Sequence, residues 1–138
     1  MRKPFLLTLL FLVGCGVTFP TNGPVHWHAT VELNICGDLI DLPRIPPGQG
    51  HLGASLLHTH DDNIIHVEGV VQRPEDITVG RFFRSIGMDV TSESVGEYGK
   101  TLSCGGSGQL TAYVNGEEDP DFLDHSVRDG DVIQLMFG

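Results

Sequence analysis

The chain has 138 residues, 40% of them hydrophobic, with 18 glycines, 8 prolines and a formal net charge of −10. That length suits one domain, and the apolar fraction with so many turn residues excludes a disordered tail in favour of a small unit of short strands. The acidic balance argues against nucleic acid and against charge-driven binding to anionic lipid headgroups, and it suits a surface that attracts cations.

In chain order, the first segment, MRKPFLLTLLFLVGCG, reads as targeting rather than fold. Arg2 and Lys3 form a basic n-region, Phe5 to Val13 an apolar core, and Gly14 a small residue before a cut. The apolar run falls short of the roughly 20 residues needed to span a bilayer as a helix. Leu12-Val13-Gly14-Cys15 resembles the lipobox of bacterial lipoproteins, which implies cleavage before Cys15 and acylation of that cysteine. Several acyl chains on one residue anchor a protein where a single chain does not. The expected division is therefore 1–14 signal peptide, 15–24 tether and 25–138 a single α+β domain. The membrane becomes a partner through the lipid, and the location is extracytoplasmic, in a periplasm or on a cell surface. Loss of Arg2 and Lys3 makes the remaining chain more acidic still. With Cys15 assigned to lipid, Cys36 and Cys104 remain, and an even pair in an exported chain favours a disulfide over thiolate metal ligands.

Val25 to Cys36 alternates cleanly. Val25, Trp27, Ala29, Val31, Leu33 and Ile35 share one face, and His26, His28, Thr30, Glu32 and Asn34 the other, which is the period of a half-buried strand. Trp27 is thereby assigned to the core. Cys36-Gly37-Asp38 supplies a turn and LIDLP a returning strand. RIPPGQGHLGAS reads as an irregular loop leading into LLHTHDDN, with His51 solvated. NIIHVEGVV is the next strand, with Ile64, His66 and Glu68 on one face and Ile65 and Val67 on the other. RPEDITVGRFFRSIGM reads as one short helix stopped at Gly87, weakened by Gly80 in its middle. DVTSES is expected to be a strand and VGEYGKTLSCGGSG a flexible connection. QLTAYVNGEED is a hairpin through Asn115-Gly116, His125 falls in a solvated acidic turn, and VIQLMFG is a final strand. Hairpins, one helix and a last strand give an α+β order: a small mixed or antiparallel sheet with one helix. The YVNG and VRDGDVIQLMFG stretches resemble a β-grasp. The sulfur carriers of that fold end in Gly-Gly, unlike Phe137-Gly138, so their activity does not carry over.

Five of the seven histidines lie in VHWHATVELNIC and LLHTHDDNIIHVEG. On a strand, residues two apart share a face with Cα atoms roughly 6.5 Å apart. His26 with His28, His58 with His60, and His66 with Glu68 can each converge on one ion. Imidazole with carboxylate suits zinc or copper. Five imidazoles exceed the needs of one four-coordinate site, so either some stand behind the ligands or two ions bind. HTHDDN resembles the H-x-H-x-D-H motif of metallo-β-lactamase-type hydrolases at His58, His60 and Asp62, with Asn63 in place of the final histidine. A cupin motif is approached but Glu68 falls too late, and no nucleophile elbow or phosphate loop is present.

The order HWHA, CG, LHTHDDNIIHVE, TVGRFF and a second cysteine resembles a family of exported bacterial and archaeal proteins with no assigned activity. The resemblance implies the architecture and places His26, His28, His58, His60, Asp62 and His66 at motif positions, with Glu68 standing where many members carry a further histidine. Together these readings point to a lipid-anchored protein binding a copper or zinc ion through His26, His28, His58, His60, His66, Asp62 and Glu68, leaning away from an enzyme. A metal-dependent hydrolase and an envelope interaction module without metal are the alternatives. Cys15→Ser should abolish labelling by a fatty-acid probe and leave soluble or uncleaved precursor, and unchanged labelling would sink the lipobox reading.

Overall fold

The computed structural model describes residues 16–138, so the stretch read as a signal peptide and the lipobox-like Cys15 lie outside the described residues. The elements run β1 Val25–Ile35, β2 Asp38–Ile40, β3 Leu52–Ala54, β4 Leu57–Thr59, β5 Ile64–Gly69, α1 Val79–Ser85, β6 Leu110–Val114, β7 Glu117–Glu118 and β8 Val132–Phe137, with single 3₁₀ turns at Pro74–Ile77 and Phe122–Asp124. The strands form one mixed sheet in the order β3-β4-β5-β1-β8-β6-β7, with β2 also paired to β1.

β1 organises this sheet because it is long enough to serve two sets of partners. Its first half, Val25 to Thr30, runs antiparallel to β5, and its second half, Thr30 to Ile35, runs parallel to β8. The alternation read from the sequence holds: Ala29, Val31, Leu33 and Ile35 are buried, while His26, His28, Thr30 and Glu32 are exposed. On β5, Ile65 and Val67 are fully buried on the same inner face. Trp27 is half-buried and packs against the core's edge. Against that face lie α1, through Val79, Phe82 and Phe83, and the turn carrying Phe122. The two-residue turns Cys36-Gly37 and Asn115-Gly116 have positive φ at both positions, the backbone that matches strand twist in tight hairpins.

Several expectations are corrected. The segment around Pro74 to Ser85 is not one helix: Thr78 is extended, and its Oγ1 accepts from Arg81 N (3.3 Å), so a capping threonine ends the 3₁₀ turn and starts α1. Gly80 has a packing reason, since a Cβ there would lie 3.0 Å from Leu123 O. DVTSES forms no strand beyond a single bridge between Val90 and Val95. Thr91 N donates to Ser94 O (2.9 Å) and their hydroxyls pair at 2.7 Å, a local turn that competes with a strand ladder. The loop expected before LLHTHDDN contains β3, and His58 lies on β4. The stretch read as a tether is docked along part of its length: Thr21 N donates to Val71 O (3.0 Å), and the Arg128 guanidinium stands 5.1 Å over the Phe19 ring.

Cys36 and Cys104 are disulfide-bonded across a sequence separation of 68, tying the end of β1 to the segment before β6. Closing a loop of that size stabilises by about 4 kcal/mol if it acts on unfolded-chain entropy. Cys36→Ala with Cys104→Ala should therefore lose about 2–4 kcal/mol in urea unfolding; an unchanged midpoint would show that the bridge constrains nothing.

Candidate metal centre

Strand register builds the site. His28 on β1 stands directly opposite His66 on β5, and His66 stands opposite His58 on β4, so three histidines form one row across three strands. One step along, His26 faces Glu68. These side chains occupy the sheet face away from the apolar core, into which their neighbours Ala29, Leu57, Ile65 and Val67 point, and on that face His58 and His66 are themselves buried. The ring centroids of His28 and His66 lie 4.8 Å apart, those of His26 and His28 4.7 Å, and those of His60 and His66 4.6 Å.

Two groups of donor atoms could hold a metal ion: His26 with His28 and His66, and His58 with His60 and Glu68, each with its atoms within 4.8 Å of one another. The hydrogen bonds choose which nitrogens are free. His58 Nδ1 lies 3.2 Å from Ser55 O, and His60 Nδ1 lies 3.1 Å from Gly50 O. A carbonyl only accepts, so each Nδ1 carries the proton and each neutral ring presents its Nε2 lone pair. Those two Nε2 atoms face each other at 3.0 Å. His66 is set the other way: Nε2 donates to Asp62 Oδ2 (2.8 Å), which leaves Nδ1 as the lone pair, buried and without a partner.

Asp62 thus stands behind His66 and belongs to neither donor group. Its Oδ1 also accepts from Ile64 N (3.2 Å), Thr59 Oγ1 (3.2 Å) and His60 N (3.4 Å). Burial opposes its ionisation, but the bonds from His66 and from the backbone of Ile64 and His60 outweigh that and hold its carboxyl below the usual range. A carboxylate on the far nitrogen of a liganding imidazole fixes the tautomer and raises its basicity. The flanking residues make the bend: Asp61 and Asn63 have φ of 63° and 55°, the left-handed region these residues tolerate. They are stapled by Ile45 N to Asp61 Oδ1 (2.7 Å) and Leu42 N to Asn63 Oδ1 (2.8 Å).

Two histidines were misplaced by sequence reasoning. His51, read as solvated, has its ring 4.6 Å from that of His58 and a buried Nδ1 without a partner. The short β3–β4 hairpin carries it there, and Gly53 permits the approach, since a Cβ at that position would lie 2.8 Å from Leu57 O. Gly53 meets His58 only through the register of that hairpin, so no sequence signal announced the contact. His125, also read as solvated, pairs with the buried Asp131 at 2.8 Å, away from the cluster.

No protein-family model, curated protein or solved structure matches the chain. The site therefore rests on its own geometry.

Burial, then the neighbouring His51, lowers the His58 pKa below its ordinary 6.5, with Glu68 opposing and His60 and His66 adding to the effect. The unfolded chain then binds the extra proton first, so this contribution is intact above about pH 6.5 and is lost as pH falls from there through the folded value. In chelator, the drop in unfolding midpoint between about pH 7.5 and 5.5 should be smaller for His58→Asn, which keeps a donor towards Ser55 O, than for the wild type. Equal drops would mean that His58 carries no charge penalty.

Proposed function

We propose that the protein is a lipid-anchored, extracytoplasmic metal-binding protein that holds zinc or copper through the histidine cluster. One observation carries the metal reading: the Nε2 atoms of His58 and His60, both left unprotonated by their carbonyl partners, face each other at 3.0 Å. Two lone pairs so placed repel unless a cation lies between them. A shared proton would leave one ring charged, which the burial of His58 and the neighbouring imidazoles disfavour. Metal–nitrogen bonds near 2.0–2.1 Å accommodate such a pair. The lipobox-like LVGC supports the anchor, and the motif order supports membership of the exported HWHA and HTHxDxxIH family. The parallel pairing of β1 with β8 at the middle of the sheet, with one helix across it, supports a β-grasp-like description of the fold.

A metal-dependent hydrolase is the second reading. It draws on the solvent side of the cluster, where the His26 side chain is 65% exposed and leaves room for a water on an ion.

Calorimetry on tag-free, metal-stripped protein should show tight Zn(II) or Cu(II) binding. His28→Ala with His60→Ala should weaken it about 100-fold or more, since even an outer-shell change costs 10–100-fold, while His125→Ala should leave it unchanged. Affinity should fall as pH drops through about 6.5, because only neutral imidazole binds. Absence of retained metal near neutral pH would end this reading.

A further inference from the structure

The cluster holds more donors than one tetrahedral ion uses. Five imidazoles and a carboxylate converge, yet they divide into two groups, His26 with His28 and His66, and His58 with His60 and Glu68. Glu68 reaches both with its two carboxylate oxygens. Its Oε1 lies 3.0 Å from His26 Nε2 and 3.9 Å from His66 Nδ1, and its Oε2 lies 3.9 Å from His58 Nε2.

We propose that Glu68 bridges two divalent cations in a dinuclear centre, one held by His26, His28 and His66 with Oε1, the other by His58 and His60 with Oε2. This rests on the metal-binding reading above. The free nitrogens point the same way. His66, with its side chain only 10% exposed, has Nε2 committed to Asp62 and keeps Nδ1 unpartnered on the side of His26 and Glu68. His58 directs Nε2 to His60 instead. Although His58 and His66 are paired across strands and their rings stack at 5.7 Å, their lone pairs serve different partners.

Charge explains why a carboxylate occupies the middle. Two divalent ions roughly 3.5–4 Å apart repel strongly, and a bridging anion offsets that repulsion where a sixth neutral imidazole would not. Further negative charge lies just outside the donors, in Asp62 behind His66 and Asp129, whose Oδ1 accepts from His28 N at 3.0 Å. The first ion has four protein donors. The second has three, with His51 the nearest remaining imidazole, its ring 6.3 Å from that of His60.

The test is a Zn(II) titration of the full chain in mild detergent, with bound metal counted after removal of free ion. The substitutions fall on side chains outside the core, so the variants keep the fold. Wild type should bind about two ions per chain. His60→Ala should retain about one, and His26→Ala with His28→Ala about one. Glu68→Gln should weaken the second step at least about tenfold, a loss of the size that follows removal of a partner outside the coordination shell. One ion in the wild type, lost in either histidine variant, would overturn the two-ion centre while leaving metal binding intact. Two ions with unchanged affinity in Glu68→Gln would overturn the bridge. No bound zinc would remove the reading on which the inference depends.

Discussion

Everything at the histidine face depends on the registration of three strands. β4, β5 and β1 are paired so that His58, His66 and His28 stand in one row. Neighbouring strands lie about 4.8 Å apart, the spacing that places imidazoles within reach of a common ion. The histidines do not choose that register. Leu57, Val67, Ile65 and Ala29 do, because a slip of one residue would turn these buried side chains to water and the polar ones into the core. Hydrophobic burial on one face thereby fixes donor geometry on the other.

The second layer of control is backbone chemistry. Ser55 and Gly50 contribute only carbonyl oxygens, yet these decide that His58 and His60 present Nε2. Asp62 decides the opposite tautomer for His66. Asp61 and Asn63, on either side of it, absorb the left-handed turns that let β4 reverse into β5, and their side chains secure the segment around Leu42 and Ile45. In HTHDDN every polar residue thus has a separate task, and its likeness to a hydrolase motif does not extend to Asp62, which stands behind the donors.

Buried imidazoles without hydrogen-bond partners are costly in a folded protein unless something else satisfies them. His66 Nδ1 and His51 Nδ1 are both in that position, on the same side of the sheet. A stability optimum would give the His66 lone pair a hydroxyl or N–H donor. His66 Nδ1 lies 3.9 Å from a Glu68 oxygen and the His51 ring lies 4.6 Å from that of His58, so both stand beside groups of donors that could hold a cation.

What could be read without coordinates was local. The two-residue alternation of Val25 to Ile35 and of Ile64 to Glu68 declared both strands, their inner faces and the outward placement of His26, His28, His66 and Glu68. Turn residues declared the hairpins at Cys36-Gly37 and Asn115-Gly116. The even pair of cysteines left after Cys15 declared the disulfide. The failures were equally physical. DVTSES has strand-like residues but satisfies its hydroxyls within its own turn, and Thr78 breaks a helical stripe by capping. Which histidines meet was beyond local reading, since it depends on pairing between segments far apart in sequence. The position of His51 depends on a hairpin closed at a glycine, and that of Asp62 on backbone N–H groups, which nearly every residue carries and no side-chain pattern announces. The sequence by itself determined the strands and the kind of atoms available to a metal. Only the tertiary structure decided which lone pairs face one another, because that follows from long-range register and backbone hydrogen bonding rather than from residue identity.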